Sequence, residues 1–343
     1  MSATVKIGFV GSGGMAKAHI DAMKGMTDVT FAALCDPDPA KSAARKAEIA
    51  AVRPDGPEPA VFSDPETMLA TAELDAVYIL LPPFAHGPAE RACIAHRKPF
   101  FVEKPISKDL GFSREVAAEV ERAGIVTCAG YMNRYRAGVQ KAREALQSDP
   151  AVLVHGGWIG GSPNPQPGDT SIGSWWVQMD KSGGQIVEQC THTFDVLRYL
   201  CGEAAEVHAY AARGFNKGLY NYTIDDASVV NLQLRSGGVA CLMSACAANG
   251  GGGGVWLNVY AHGSTFLFTG WEHSVKMSGK VGDAHIAGEG DIFAVEDRVF
   301  IDAVKSGDGS AIRSTYSDAV RTLELTLAAN ESIATRKPVA ISA

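Results

Sequence analysis

The sequence predicts an α/β fold in two parts. An N-terminal Rossmann domain with a doubly wound parallel sheet is followed by a C-terminal α+β domain on a large, mostly antiparallel open sheet. Three observations carry this. Up to about residue 130, unbroken apolar strands alternate with helices, the pattern of a parallel sheet covered on both faces. The motif Gly11-Ser12-Gly13-Gly14-Met15-Ala16 falls between the first strand and the first helix. From Glu206 to Met277 the chain turns β-rich, and turns such as Ser236-Gly237-Gly238 join neighbours in antiparallel fashion.

Residues 5–10 read as a strand and 15–26 as a helix, followed by a strand over 29–35 and a helix over 39–52. The Pro/Gly-rich stretch 53–59 is a surface loop. Asp64 suits the cap of a short helix with Pro65 at its first position. A buried strand over 75–81 stops at Pro82-Pro83. Then come a helix over 88–96, a strand over 99–102, a helix over 112–122 and a strand over 125–129. Further on, 134–146 reads as a helix, 160–174 as a long segment without periodicity, and 185–201 as one strong helix. Strands are expected at 207–211, 227–234, 239–244, 255–260 and 265–268. The five glycines 250–254 read as a flexible loop tip, since no helix follows to supply a dipole. Helices over 292–305 and 316–334 close the chain. The domains are expected at 1–130 (dinucleotide-binding) and 131–343 (substrate-binding and oligomerisation). Whether the last helices pack back on the first domain stays open.

Composition narrows the function classes. The 343 residues are 46% hydrophobic and 20% charged, as in an ordinary globular protein, and the net charge of −7 argues against a nucleic-acid partner. The apolar runs are too short to span a membrane, and the N-terminus lacks a signal-peptide pattern, so a cytoplasmic location is expected. The seven cysteines are odd in number and scattered, with no C-x-x-C, which reads as reduced thiols and no metal site.

In the glycine motif, Gly11 permits the tight turn, Gly13 lets backbone approach a pyrophosphate, and Ala16 permits close helix–strand packing. Asp36 ends the second strand, where a carboxylate accepts ribose hydroxyls and repels a 2′-phosphate. NAD is therefore expected over NADP. Lys104 follows the strand ending at 102, on the ligand-binding side of such a sheet, although spacing alone favours a plain surface lysine. In the helix over 185–201, Glu188, His192, Asp195 and Tyr199 form a polar stripe beside an apolar one, and Glu188 falls four residues before His192, on the same face. Histidine suits proton transfer from an alcohol, while a purely structural histidine weighs equally. Gly183-Gly184 opens that helix and leaves room for a ligand. Trp175 and Trp176 could stack on a sugar ring or pack in the core. Asn133, Arg134 and His86 are further candidates for the ligand site.

Together these segments resemble the Gfo/Idh/MocA family of oxidoreductases. The resemblance rests on Gly11 to Ala16, Asp36, Leu81-Pro82-Pro83 with His86, Glu103-Lys104-Pro105, and Ser182-Gly183-Gly184 through Glu188, His192 and Asp195. It covers essentially the whole chain. It implies a cofactor site of Gly11, Ser12, Gly13, Gly14, Met15, Ala16, Asp36, Pro82, His86, Glu103 and Lys104. It implies a catalytic set of Lys104, His192 and Glu188. From the residues themselves, Asn133, Arg134, Trp175, Trp176 and Asp195 are the candidate substrate contacts. Glu188 stands where many members carry Asp, and Cys190 where many carry Gly. The expected activity is hydride transfer between NAD and a secondary alcohol of a sugar, cyclitol or polyol. Two alternatives stay open: an NAD-dependent glycosidase and a non-catalytic NAD- and sugar-binding regulator. A homodimer or homotetramer is expected, with neither nucleic acid nor membrane as partner.

Overall fold

The computed structural model describes residues 4–251 and 253–342. Residues 1–3, used in reading the N-terminus, and Gly252 of the glycine loop lie outside the described residues. The chain divides into two compact units, residues 1–132 with 291–320 and residues 133–290 with 321–343.

In the first unit, β1 (Val5–Val10), α1 (Gly14–Met23), β2 (Val29–Cys35), α2 (Pro39–Val52), β3 (Ala60–Phe62), α3 (Pro65–Thr71), β4 (Ala76–Ile79), α4 (Pro88–Ala95), β5 (Phe100–Val102), α5 (Leu110–Ala123) and β6 (Thr127–Ala129) follow in order. Among the described residues they form a six-stranded parallel sheet, β3-β2-β1-β4-β5-β6. The strand order reverses between β1 and β4, and ligands of such sheets bind at the carboxyl ends of strands beside that reversal. Ile7, Phe9, Tyr78 and Phe101 are fully buried, which is why these strands read as unbroken apolar runs. Burying each such side chain contributes about 1.5–3 kcal/mol. Asp64 caps α3 as expected, accepting the Thr67 amide at 2.7 Å.

The second unit holds α6 (Ala137–Leu146), β7 (Ala151–Ile159), α7 (Ile172–Trp176), α8 (Met179–Ser182), α9 (Gly184–Glu188), α10 (Thr191–Cys201), β8 (Ala204–Ala212), β9 (Ala227–Leu234), β10 (Val239–Ala245), β11 (Gly254–Ala261), β12 (Ser264–Thr269), β13 (Ser274–Gly279) and β14 (Ala284–Ile286). Then α11 (Ile292–Ser306) returns to the first unit, and α12 (Tyr316–Thr335) and β15 (Val339–Ala340) follow. Among the described residues the second sheet has nine strands, β14-β13-β12-β11-β7-β10-β9-β8-β15. Every pairing is antiparallel except β7 with β10. Along β9 buried and exposed residues alternate; Val230, Leu232 and Leu234 turn inward to join Val139 of α6 and Phe194 and Leu197 of α10. The opposite face shows Leu153, Tyr210, Val229 and Val239 to solvent.

Two expectations are corrected here. The sequence pattern does not mark the central strand β7, because its paired glycines, Gly156-Gly157, lower strand propensity. The helix expected over 185–201 is two helices. The Gln185 carbonyl accepts both the Gln189 amide, at 3.1 Å, and the Cys190 amide, at 2.8 Å. That extra-residue step interrupts the helical ladder between Glu188 and His192, so the shared-face argument drawn from a continuous helix does not apply to them.

Candidate active site

The nucleotide motif is built by β1 and α1. At Gly11 φ is +96°, and a Cβ there would lie 2.4 Å from the Leu80 carbonyl oxygen, so only glycine fits. A Cβ on Gly13 or Gly14 would meet nothing within 4 Å, which leaves open space at the start of α1. Unpaired amides and the helix dipole favour a phosphate there. Met15 is half-buried, while Ala16 is fully buried against the sheet. Asp36, 9% exposed, accepts the Ser12 amide on Oδ2 and the Asp38 amide on Oδ1, each at 2.9 Å. The carboxylate is thus fixed and keeps lone pairs for ribose hydroxyls. A glycine turn, an open helix start and an anchored carboxylate fit a dinucleotide.

Around the other strand ends, Pro82 caps the 3-10 turn Pro83–Ala85. His86 Nδ1 lies 2.5 Å from Glu90 Oε1, and Glu90 Oε2 accepts the Gly87 amide at 2.7 Å. Burial works against the Glu90 charge, but His86 and the amides outweigh it and hold the acid below its usual range. Lys104 follows β5, and its amide donates to Glu103 Oε2 at 3.0 Å. Glu103, read as cofactor-binding, is 4% exposed and turns its other oxygen towards His19 on α1, 3.4 Å from Nε2.

In the second unit His192 belongs to the first turn of α10 and is 5% exposed. Its ring meets Trp271 edge-on at 5.6 Å between centroids and Trp158 at 6.4 Å; the two indoles meet each other at 5.2 Å. Sequence reasoning missed both tryptophans. They lie at the end of β7 and just after β12, far apart in the chain, and only the sheet brings them together. The Trp271 backbone is anchored, since its carbonyl accepts from buried Arg136 at 3.2 Å and meets His273 Nδ1 at 3.0 Å. Arg136 also donates to the Glu289 carbonyl and to Asn133 Oδ1, both at 2.7 Å. Asn133, expected to face substrate, is thereby turned towards this clamp.

Glu188 accepts the indole N–H of Trp176. Trp176 is 5% exposed and packs with Val177, Ile224 and Cys246, with Trp175 at the edge of that cluster. Trp176 is therefore a core residue rather than an open sugar platform. Gly183 and Gly184 have left-handed backbone and close the turn between α8 and α9. Their nearest neighbours are the Val187 and Met179 side chains, so they do not reserve room for a ligand. Arg134 and Asp195, both expected at substrate, instead form a buried ion pair. Thr322 completes it by donating to Asp195 Oδ1 at 2.8 Å. Among the described residues no group of three or more His, Cys, Asp or Glu is placed to hold a metal ion, and no helix is long and apolar enough to cross a membrane.

Residues 5–131 match the family model of the NAD-binding Rossmann-fold oxidoreductases, and residues 140–267 match the GFO/IDH/MocA C-terminal domain. The myo-inositol 2-dehydrogenase of Thermotoga maritima is 25% identical over 240 residues, which cover 69% of this chain and 67% of that protein. A crystal structure of an oxidoreductase from Agrobacterium radiobacter, in complex with NAD+, L-tartaric acid and magnesium, is similar with a TM-score of 0.82 at 18% identity, covering 99% of each chain. A levoglucosan dehydrogenase in complex with NADH gives 0.84 at 16% identity, again covering 99% of each. At such identities the solved structures establish the fold, and the two family models carry the assignment. The chain belongs to the Gfo/Idh/MocA family of NAD-binding oxidoreductases.

Proposed function

We propose that this chain reversibly oxidises a secondary alcohol of a sugar, cyclitol or related polyol. The observation that carries the reading is His192, held at the start of α10 beside the indoles of Trp158 and Trp271. A histidine is the side chain whose ordinary range suits accepting an alcohol proton near neutrality, and indole faces suit the C–H faces of a sugar or cyclitol ring. The relatives named for myo-inositol and levoglucosan dehydrogenation support the same substrate class.

NAD, when bound, supplies the hydride acceptor. His192 accepts the hydroxyl proton. Lys104, at the carboxyl end of β5, supplies positive charge for the oxygen as that proton leaves. Glu188 holds the indole of Trp176 in the core at the end of α7. Gly11 to Ala16 and Asp36 hold the dinucleotide.

The test is a panel of myo-inositol, D-glucose, levoglucosan, sorbitol and aryl glycosides, each with NAD and with NADP, followed by absorbance of the reduced cofactor. Polyol-dependent reduction of NAD supports the reading. Release of an aglycone without net reduction favours the glycosidase alternative, and binding without turnover across the panel favours a regulator.

A further inference from the structure

His19 lies on α1, the helix that opens at the nucleotide glycines, and has no exposed surface. Its Nδ1 is 2.8 Å from Oδ1 of Asp297 on α11. Its Nε2 makes the longer approach of 3.4 Å to Oε1 of Glu103. The rings of Tyr78, Phe101 and Phe293 close the surrounding space, with centroids 5.2, 5.0 and 5.8 Å away. Buried Glu296 neighbours this group on α11, and Cys128 lies beside Tyr78. All of these belong to the first unit.

A neutral imidazole carries one N–H and cannot donate to two carboxylates, whereas an imidazolium can. Two carboxylates buried without a cation would be costly. Burial opposes a charge on His19. The charge and hydrogen bond of Asp297, and then those of Glu103, outweigh it and push the imidazole up to about 10. Asp297 is itself pushed up, by burial first, with His19 working the other way.

The far side of this arrangement is Lys104. Glu103 Oε1 lies where a side chain at position 130 would begin: a Cβ on Gly130 would come within 2.8 Å of it. Oε2 of the same carboxylate accepts the Lys104 amide at 3.0 Å. We propose that His19 is a positioning residue for Lys104: anchored on Asp297 as a buried cation, it holds the Glu103 carboxylate, whose second oxygen fixes the backbone from which the lysine side chain departs. The same imidazolium joins the phosphate-binding helix to the strand end that carries the lysine. This inference rests on the proposed role of Lys104 in the reaction.

His19→Gln, Asp297→Asn and Lys104→Ala test it in the full-length protein, with three readouts: hydrogen exchange of the Lys104 amide, NADH affinity by fluorescence, and kcat and KM on whichever panel polyol the parent turns over. In folded His19→Gln the Lys104 amide should exchange at least about tenfold faster, the opening of a local hydrogen bond. Its kcat should fall about ten- to a hundredfold, as for a slightly misplaced catalytic group, with KM and NADH affinity within about twofold of the parent. A merely structural histidine would lower Tm and leave amide exchange and kcat of the folded fraction unchanged, and that result overturns the inference. If His19→Gln does not fold, Asp297→Asn, which keeps the imidazole but removes its anchoring charge, is held to the same outcomes. Normal kcat in Lys104→Ala contradicts the functional reading instead, and amide exchange alone then decides the role of His19.

Discussion

Arg134 grips Asp195 with two parallel bonds, Nε to Oδ2 at 2.8 Å and the second nitrogen to Oδ1 at 2.6 Å, with both side chains almost completely buried. Thr322 ties this pair to Arg198, which itself forks onto Glu203. Removing one partner strands the other charge in the interior. Asp195→Ala should therefore destabilise the protein by about 3–5 kcal/mol, read by denaturant unfolding. A loss below about 1 kcal/mol, the range of surface pairs, would show that the guanidinium finds water or another partner.

Two buried histidines contribute to the pH dependence of stability from opposite sides. Against the ordinary value of 6.5, His19 is raised to about 10. Its contribution is complete below pH 6.5 and is lost as pH rises through 10. His273 is lowered to about 4, by burial first, so its contribution is present above 6.5 and is lost as pH falls through 4. Tm measured from pH 4 to 10 should form a dome. His19→Gln should flatten the alkaline limb and leave the acid limb, and His273→Gln should do the reverse. Identical limbs in the parent and in both variants would refute these assignments.

Asp36 is held by the amides of Ser12 and Asp38, so its oxygens are pre-positioned for ribose hydroxyls. Asp36→Ser should weaken NAD binding about ten- to a hundredfold, the scale of a charge-assisted hydrogen bond. It should also narrow the gap between NAD and NADP. Calorimetry showing tighter NADP binding by the parent would overturn this role.

The exposed face of the nine-stranded sheet carries Tyr210, Val229, Val239 and Leu153, while helices pack on the other face. Val229 lies directly across from Tyr210, and Val239 from Leu153, which makes two apolar cross-strand pairs on this face. We propose that this face joins copies of the chain as a dimer or tetramer. Light scattering at micromolar concentration should show an assembly, and Val229→Glu should shift it towards monomer. A monomeric parent would contradict the proposal.

What the sequence shows plainly is what local chemistry decides. The strand, the glycine turn and α1 are adjacent in the chain, and Asp36 ends the next strand, so the motif and its partner are legible together. The two-sided burial of the parallel strands leaves unbroken apolar runs for the same reason. The break between α9 and α10 is not legible, because Gln185 to Cys201 keep a helical apolar stripe while one carbonyl accepts two amides. Nor is the setting of His192, since Trp158 and Trp271 reach it only through sheet pairing. Nor is the pairing of Arg134 with Asp195, or of Asp195 with Thr322, since those partners lie far apart in the chain.

His192 as the proton acceptor for an alcohol is tested by kcat of His192→Asn on a polyol that the parent oxidises. Asparagine keeps a similar shape and removes the base. kcat should fall by about a hundredfold or more, the scale of a lost general base. NAD affinity should stay close to the parent's, because the glycine motif and Asp36 belong to the other unit. Near-normal turnover by a folded His192→Asn protein would contradict this role and leave His192 a structural residue packed against Trp158 and Trp271.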